Sequence, residues 1–392
     1  MKFSKTAFLK DVFFSALASY GGPEAHYGVF SNSLVDRGGY LTEEELTEFI
    51  GLFSLVPGPG STQTITAIGY KVGGPLLALL TFLVWALPAI LIMGAVGVFF
   101  TEVTAREGWE ALLTYLPPLA VSFMVYAAVK MTGKVLSQGG DGKNRLLYGA
   151  MVPLSWWLVG RTMWAVPLLL IAGGITPLAF QGPVPRGEGM DHRPRWWILG
   201  LVVALAVAAE LLSREFQHPL LGLFSSFYSY GYSVIGGGQI VIPLMIQDLV
   251  RSQSLLSLSD FLSGYAIDQA IPGPLFSFAS FVGARSLAGS GYGFLGGIIS
   301  ALGIFLPGIL LVYFIFPIWR ASRELTAVRR FLKGVSVTAA ALVTMTALSQ
   351  VLALPRDPVG YGVLILGTAA LYSKRVPAPL LVPAAMVLGL LL

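Results

Sequence analysis

The chain has 392 residues, of which 55% are hydrophobic and only 11% charged. Its mean hydropathy is +0.75, which excludes an ordinary soluble globular domain and places the chain in a lipid bilayer. The net charge of +5 sits between apolar segments rather than in a basic and aromatic stripe, which excludes a nucleic-acid partner. With no cysteine there is no disulfide, thiolate metal site or cysteine nucleophile.

Taken in order, thirteen apolar segments run at about 8–37, 45–71, 75–100, 109–130, 146–160, 163–181, 196–213, 219–250, 260–286, 291–319, 331–354, 359–373 and 377–392. The first follows Lys2, Lys5 and Lys10 and ends its apolar run in Ala16-Leu17-Ala18, in the manner of a signal peptide. It is nevertheless expected to be retained, because its counterpart near 220–235 is internal. Several later segments fall short of the roughly 20 residues of a perpendicular span, so the pairs after 145 and after 358 are expected to be tilted or partly interfacial.

Four of the segments are interrupted, and the interruptions come in pairs. Pro57-Gly58-Pro59 recurs as Pro272-Gly273-Pro274, displaced by 215 positions. The same displacement carries Gly21-Gly22 onto Gly236-Gly237 and Thr42-x-x-Glu45 onto Ser257-x-x-Asp260. Proline lacks the N–H and clashes with the preceding turn, and glycine loosens the backbone, so each pair breaks a helix. The organisation is thus a first half (1–195), a linking helix (196–218) and a second half (219–392). Paired breaks in two halves of a membrane protein are the sequence mark of a transporter's binding site.

Positive clusters orient the chain: Lys130, Lys134, Lys143 and Arg145; Arg186, Arg193 and Arg195; Arg320, Arg323, Arg329, Arg330 and Lys333; Lys374 and Arg375. All four fit a cytoplasmic side. Segment 75–100 then runs outward and 291–319 inward, so the halves are inverted, with the N-terminus cytoplasmic and the C-terminus outside. The same scheme puts Glu43, Glu44, Glu45 and Glu48 outside. The expected fold is an all-α polytopic membrane protein with about twelve to thirteen spans, discontinuous helices and two inverted repeats.

On either side of Pro57–Pro59, the stretches 45–56 and 60–71 are each about 18 Å long at 1.5 Å per residue, so the break falls near the bilayer middle of a spanning, interrupted helix. Unwound backbone survives at that depth only against protein or a water-lined cavity. The N–H groups opening the second half-helix, with its dipole, make an anion site there. Gly60, Ser61, Thr62 and Gln63 follow Pro59, whereas Leu275, Phe276, Ser277 and Phe278 follow Pro274 and are less polar, so the site is expected to be asymmetric.

The strings GGPEAH at 21–26, LVPGP at 55–59, GGGQIVIP at 236–243 and DQAIPGPLF at 268–276 together resemble the chromate ion transporter (CHR) family in its two-domain form. The resemblance implies a plasma-membrane protein that moves chromate, commonly outward to give chromate resistance, with sulfate as the close analogue. One departure is Ser54, where the family often has a glutamine; Gln269 keeps it in the second half.

Substrate contacts are expected from Gly21, Gly22 and His26; from Pro57, Gly58, Pro59, Gly60, Ser61, Thr62 and Gln63; and from Gly237, Gly238, Gln239, Gln269, Pro272, Gly273 and Pro274. Ionisable groups are costly at mid-membrane and functional by default, which makes His26, Glu24 and Asp268 proton-coupling candidates. Each has a structural alternative: a hydrogen-bonded core histidine, a helix-capping carboxylate and a carboxylate paired with an arginine or backbone N–H groups. Lys71 and Arg285 end the two broken helices and attract anions to the mouths of the pathway, or simply snorkel.

Two function classes follow: a secondary transporter of a tetrahedral oxyanion, or an intramembrane enzyme acting on a phosphorylated lipid. Against the enzyme stand the absence of H-E-x-x-H and G-x-S-x-G motifs and a total of three histidines. No G-x-x-x-x-G-K-[ST] loop is present, so a gradient drives transport, with H⁺ as the expected coupling ion. No cofactor or metal is expected, and a homodimer is compatible with the sequence.

Overall fold

The computed structural model describes residues 4–20, 23–53, 56–104, 109–137, 142–158, 165–180, 195–233, 241–318, 326–373 and 375–392. All regular structure among them is helical. In chain order the α-helices are α1 (Lys5–Ala18), α2 (Pro23–Phe30), α3 (Glu43–Phe53), α4 (Gly60–Thr104), α5 (Trp109–Leu113), α6 (Leu116–Ser137), α7 (Gly142–Leu158), α8 (Ala165–Phe180), α9 (Trp196–Phe216), α10 (Pro219–Ser233), α11 (Val241–Met245), α12 (Leu258–Asp268), α13 (Phe278–Ser286), α14 (Gly293–Ile315), α15 (Thr326–Ala353), α16 (Pro358–Ser373) and α17 (Ala378–Leu391). Among the described residues, five stretches are long and apolar enough to cross a membrane: Gly60–Phe100, Ala111–Gly133, Trp196–Phe216, Gly293–Ile318 and Lys333–Ala353. The chain is an all-α polytopic membrane protein.

Several elements recur at the displacement seen in the sequence. The π-helical turns Ser31–Arg37 and Ile246–Ser252 lie 215 positions apart, as do α3 and α12. Both helices start on a hydroxyl cap. Glu45 N donates to Thr42 Oγ1 (3.3 Å) while Thr42 N donates to Glu45 Oε2 (2.9 Å), and Asp260 N donates to Ser257 Oγ (3.0 Å). At the proline breaks Gly58 has φ +123° and Gly273 φ +131°, a backbone region essentially reserved for glycine.

The contacts form two compact units, and each draws on both halves of the sequence. One contains Met1–Ala105, Met190–Gly238 and Asp268–Arg323; the other Arg106–Gly189, Gln239–Ile267 and Glu324–Leu392. In the second unit α15 packs against α6, α7 and α8, and α16 against α6. Gly334 and Gly173 let α15 and α8 touch backbone to backbone, since a Cβ on Gly334 would fall 2.0 Å from the Gly173 carbonyl oxygen.

In the first unit the broken segments fold back on themselves, where the sequence pattern took them straight through the bilayer. Ser15 Oγ lies 2.7 Å from Ser33 Oγ, and Tyr40 donates its hydroxyl to Asp11 Oδ2 at 2.7 Å. The stretch 23–37 therefore folds back along α1, so segment 8–37 is a hairpin. Segment 45–71 is a second hairpin, closed by an ion pair between Lys71 Nζ and Glu45 Oε2. Glu45 and Lys71 consequently share one end of the hairpin, whereas the expected scheme set the acidic cluster and Lys71 on opposite sides. Lengths alone do not separate the two arrangements, because a proline break allows either a kink or a reversal.

A further reversal at Gly73-Gly74, with φ +81° at Gly74, divides α4 into arms 60–72 and 75–104. The arms pack antiparallel: a Cβ on Gly69 would meet Thr81 Oγ1 at 2.2 Å, and Trp85 Nε1 donates to Thr62 Oγ1 at 3.2 Å. Helix α13 lies along the far stretch of the 75–104 arm, with Ser280 Oγ donating to the Ile90 carbonyl (2.8 Å) and Phe281 edge-on to Phe100 (5.3 Å). The half-helices following the two proline breaks thus run in opposite directions along this arm.

The hairpin is directly testable. Replacing Ser15 and Ser33 by cysteine in this cysteine-free chain should give a disulfide on mild oxidation, read as loss of maleimide labelling. A straight helix would hold the two positions about 27 Å apart and leave both thiols reactive.

Candidate functional site

The first proline break positions a helix start. Proline sets φ near −65° on both sides of Gly58, which supplies the positive φ that turns the chain, and the arm 60–72 begins at once. Its first intrahelical bond runs from Gln63 N to the Pro59 carbonyl at 2.9 Å, so the N–H groups of Gly60, Ser61 and Thr62 precede the helical ladder. These groups and the helix dipole present partial positive charge to whatever lies in front of them.

The first hairpin brings His26 to this helix start. His26 Nδ1 lies 3.1 Å from Ser61 Oγ, and its ring stands edge-on to Trp85 with centroids 5.3 Å apart. The imidazole is 1% exposed, and its Nε2 has no hydrogen-bond partner among the described residues. Trp85 meanwhile donates its indole N–H to Thr62 Oγ1, leaving the Thr62 hydroxyl proton to be directed elsewhere. Tyr27 closes another side, with its hydroxyl 3.4 Å from where a Gly60 Cβ would lie. Ser61, Thr62, Gln63 and Thr64 are all buried, so this conformation holds the helix start away from solvent.

Gln63 joins this break to α14. Its Nε2 donates to the Pro57 carbonyl (2.7 Å) and the Gly308 carbonyl (3.2 Å). A Cβ on Gly308 would fall 2.8 Å from Pro59 Cδ, so glycine is what allows the break to seat there. The second break seats on the first half in turn: Gly273 N donates to the Ser19 carbonyl at 2.9 Å, and a Gly273 Cβ would meet Ala89 Cβ at 2.6 Å. Ala89 is one helical turn beyond Trp85, which brings the two breaks to neighbouring turns of a single helix.

The chemistry of the second break is different. Asp268 is 5% exposed and accepts from Ser277 Oγ at Oδ1 (2.8 Å), while its Oδ2 and the Nε2 of buried Gln269 have no partner among the described residues. Donors therefore gather at the first break and a carboxyl group at the second. Pro272 and Pro274 frame Gly273 as Pro57 and Pro59 frame Gly58. Of the remaining candidates, Lys71 is engaged by Glu45, and the guanidinium of Arg285 lies 5.9 Å from the Phe100 ring centroid. Gly21, Gly22, Ser54, Gly237, Gly238 and Gln239 lie outside the described residues, as does the Glu24 side chain.

Sequence reasoning missed Trp85, Tyr27, Ser19 and Gly308. Trp85 and Gly308 sit inside apolar segments where aromatic and small residues are ordinary core, and nothing in their spacing marks them. The available signal was chemical: a buried indole N–H needs an acceptor, and Thr62 is one.

Comparison with known proteins points the same way. A chromate transporter family model matches residues 7–178 and again 221–390. The chain is 24% identical to the chromate transport protein of Cupriavidus metallidurans over 379 residues, covering 95% of this chain and 89% of that one. It is also 24% identical to the chromate transport protein of Pseudomonas aeruginosa (92% and 85% covered) and 23% identical to an uncharacterized transporter of Methanocaldococcus jannaschii (82% and 78%). No solved structure gives a significant match.

Proposed function

Because the chain belongs to the chromate transporter family, in its two-domain form, we infer that it carries chromate outward across the plasma membrane by secondary transport and so confers chromate resistance. It is a transporter and not an enzyme. The observation that carries the site assignment is the helix start at Gly60–Thr62 with the buried, unpartnered Nε2 of His26 beside it, a set of preorganised donors suited to a tetrahedral dianion. Gly60 allows close approach of the ion to the backbone, the Thr62 hydroxyl adds a donor, and the Ser61–His26 pair adds one more, the Ser61 O–H in one tautomer and the His26 Nε2–H in the other.

The closed helix start corresponds to an occluded state, and access alternates as one inverted half moves against the other. Opposite running of the two half-helices supports that scheme. Asp268 carries the coupling proton, in keeping with its burial, its bond from Ser277 and the absence of any cation paired with it among the described residues. The N-terminus is cytoplasmic and the C-terminus outside. Sulfate has the same shape and charge and is the second substrate this site would accept.

The test is uptake of labelled chromate and sulfate into proteoliposomes under imposed pH and Na⁺ gradients. Chromate flux should follow the pH gradient and ignore Na⁺. Flux driven by Na⁺, or none for either anion with binding intact, would overturn the assignment.

A further inference from the structure

The other compact unit holds a polar cavity of about 240 Å³, which at roughly 30 Å³ per water accommodates a small ion with part of its hydration shell. Trp156 of α7, Gln247 and Arg251 of the π-helical turn Ile246–Ser252, and Thr346, Ser349 and Gln350 of α15 line it. The π winding, with its i→i+5 bonding, is a local departure from the α-helix of the kind that collects at functional sites. Here it sets an amide and a guanidinium on one wall.

Charge selects the ligand class. Arg251 is the one charged residue among those lining the cavity, and among the described residues it has no ion-pair partner. Gln350 is 2% exposed, and the carboxamide oxygens of both Gln350 and Gln247 lack hydrogen-bond partners. Gln350 Nε2 makes one long hydrogen bond, to Ser349 Oγ at 3.5 Å, and turning either carboxamide end for end presents its NH₂ to the cavity in place of the unpartnered oxygen. With no carboxylate on the wall, a cation has nothing to neutralise it. A tetrahedral anion meets a planar cation and two amides, the Thr346 and Ser349 hydroxyls being already donated to the Leu342 and Thr346 carbonyls. The corresponding positions in the first half are Asn32 and Asp36, so the cationic wall belongs to the second half alone.

We propose that this cavity is a second oxyanion site, taking one tetrahedral anion either free in solution or as the phosphate of a lipid headgroup, with Arg251 supplying the charge and Gln247 and Gln350 the amide donors. It is independent of the site at the first proline break.

The experiment uses the full chain purified in detergent. Equilibrium dialysis with labelled sulfate and chromate should give two anions per chain, and Arg251→Gln should weaken one of them about tenfold or more while leaving the other. Gln350→Leu should do the same, and the Ser61→Ala/Thr62→Val variant should spare this site. A lipid source is distinguished by native mass spectrometry with phosphatidylglycerol added: one lipid retained by the parent chain and lost in Arg251→Gln supports the site with that occupant. Size-exclusion profiles check that the variants fold. One anion per chain, unaffected by Arg251→Gln, together with no retained lipid, overturns the proposal.

Discussion

Replacing Ser61 by alanine together with Thr62 by valine should weaken chromate and sulfate binding roughly ten- to hundred-fold. Thr62 donates at a buried helix start and Ser61 either donates or sets the His26 tautomer that does, and a hydrogen bond to a charged ligand is worth about 1.5–3 kcal/mol, about one to two decades in affinity. The pair is chosen because the two side chains have different second partners, His26 Nδ1 for Ser61 and Trp85 Nε1 for Thr62. Removing both also frees those groups, so Thr62→Ser, which keeps the acceptor for Trp85, serves as the control and should bind nearly as the parent does. Affinity near that of the parent in the double variant would move the anion elsewhere, first to the second glycine break.

Asp268→Asn should abolish transport driven by a pH gradient while anion exchange continues. Asparagine keeps the size of the side chain and an acceptor for the Ser277 hydroxyl, so the break around Gly273 should hold its geometry. What it removes is the ability to take up and release a proton. In proteoliposomes, chromate movement under an imposed pH gradient should fall to the level of empty vesicles, while counterflow of labelled against unlabelled chromate should persist. A variant that still follows the pH gradient would pass the role to His26. Loss of counterflow as well would make Asp268 a structural member of the break.

Much of this protein follows from its sequence because one-dimensional features carry it. An apolar composition with only 11% charged residues demands a bilayer, and Pro57-Gly58-Pro59 with its repeat at Pro272-Gly273-Pro274 must interrupt helices, since neither residue supports one. The position of Gly60–Thr62 directly after the break was likewise readable as a helix start. The angle at which the chain leaves a break is not local. It depends on what each arm packs against, and those partners are distant: Ser33 for Ser15, Lys71 for Glu45, Gly308 for Gln63, Ser19 for Gly273. The tertiary structure therefore decided that segments 8–37 and 45–71 reverse, and that His26 reaches Ser61. The cavity of Trp156, Arg251 and Gln350 shows the same limit. Those residues lie in three separate segments, each unremarkable alone, and only packing brings a guanidinium and two amides to one cavity.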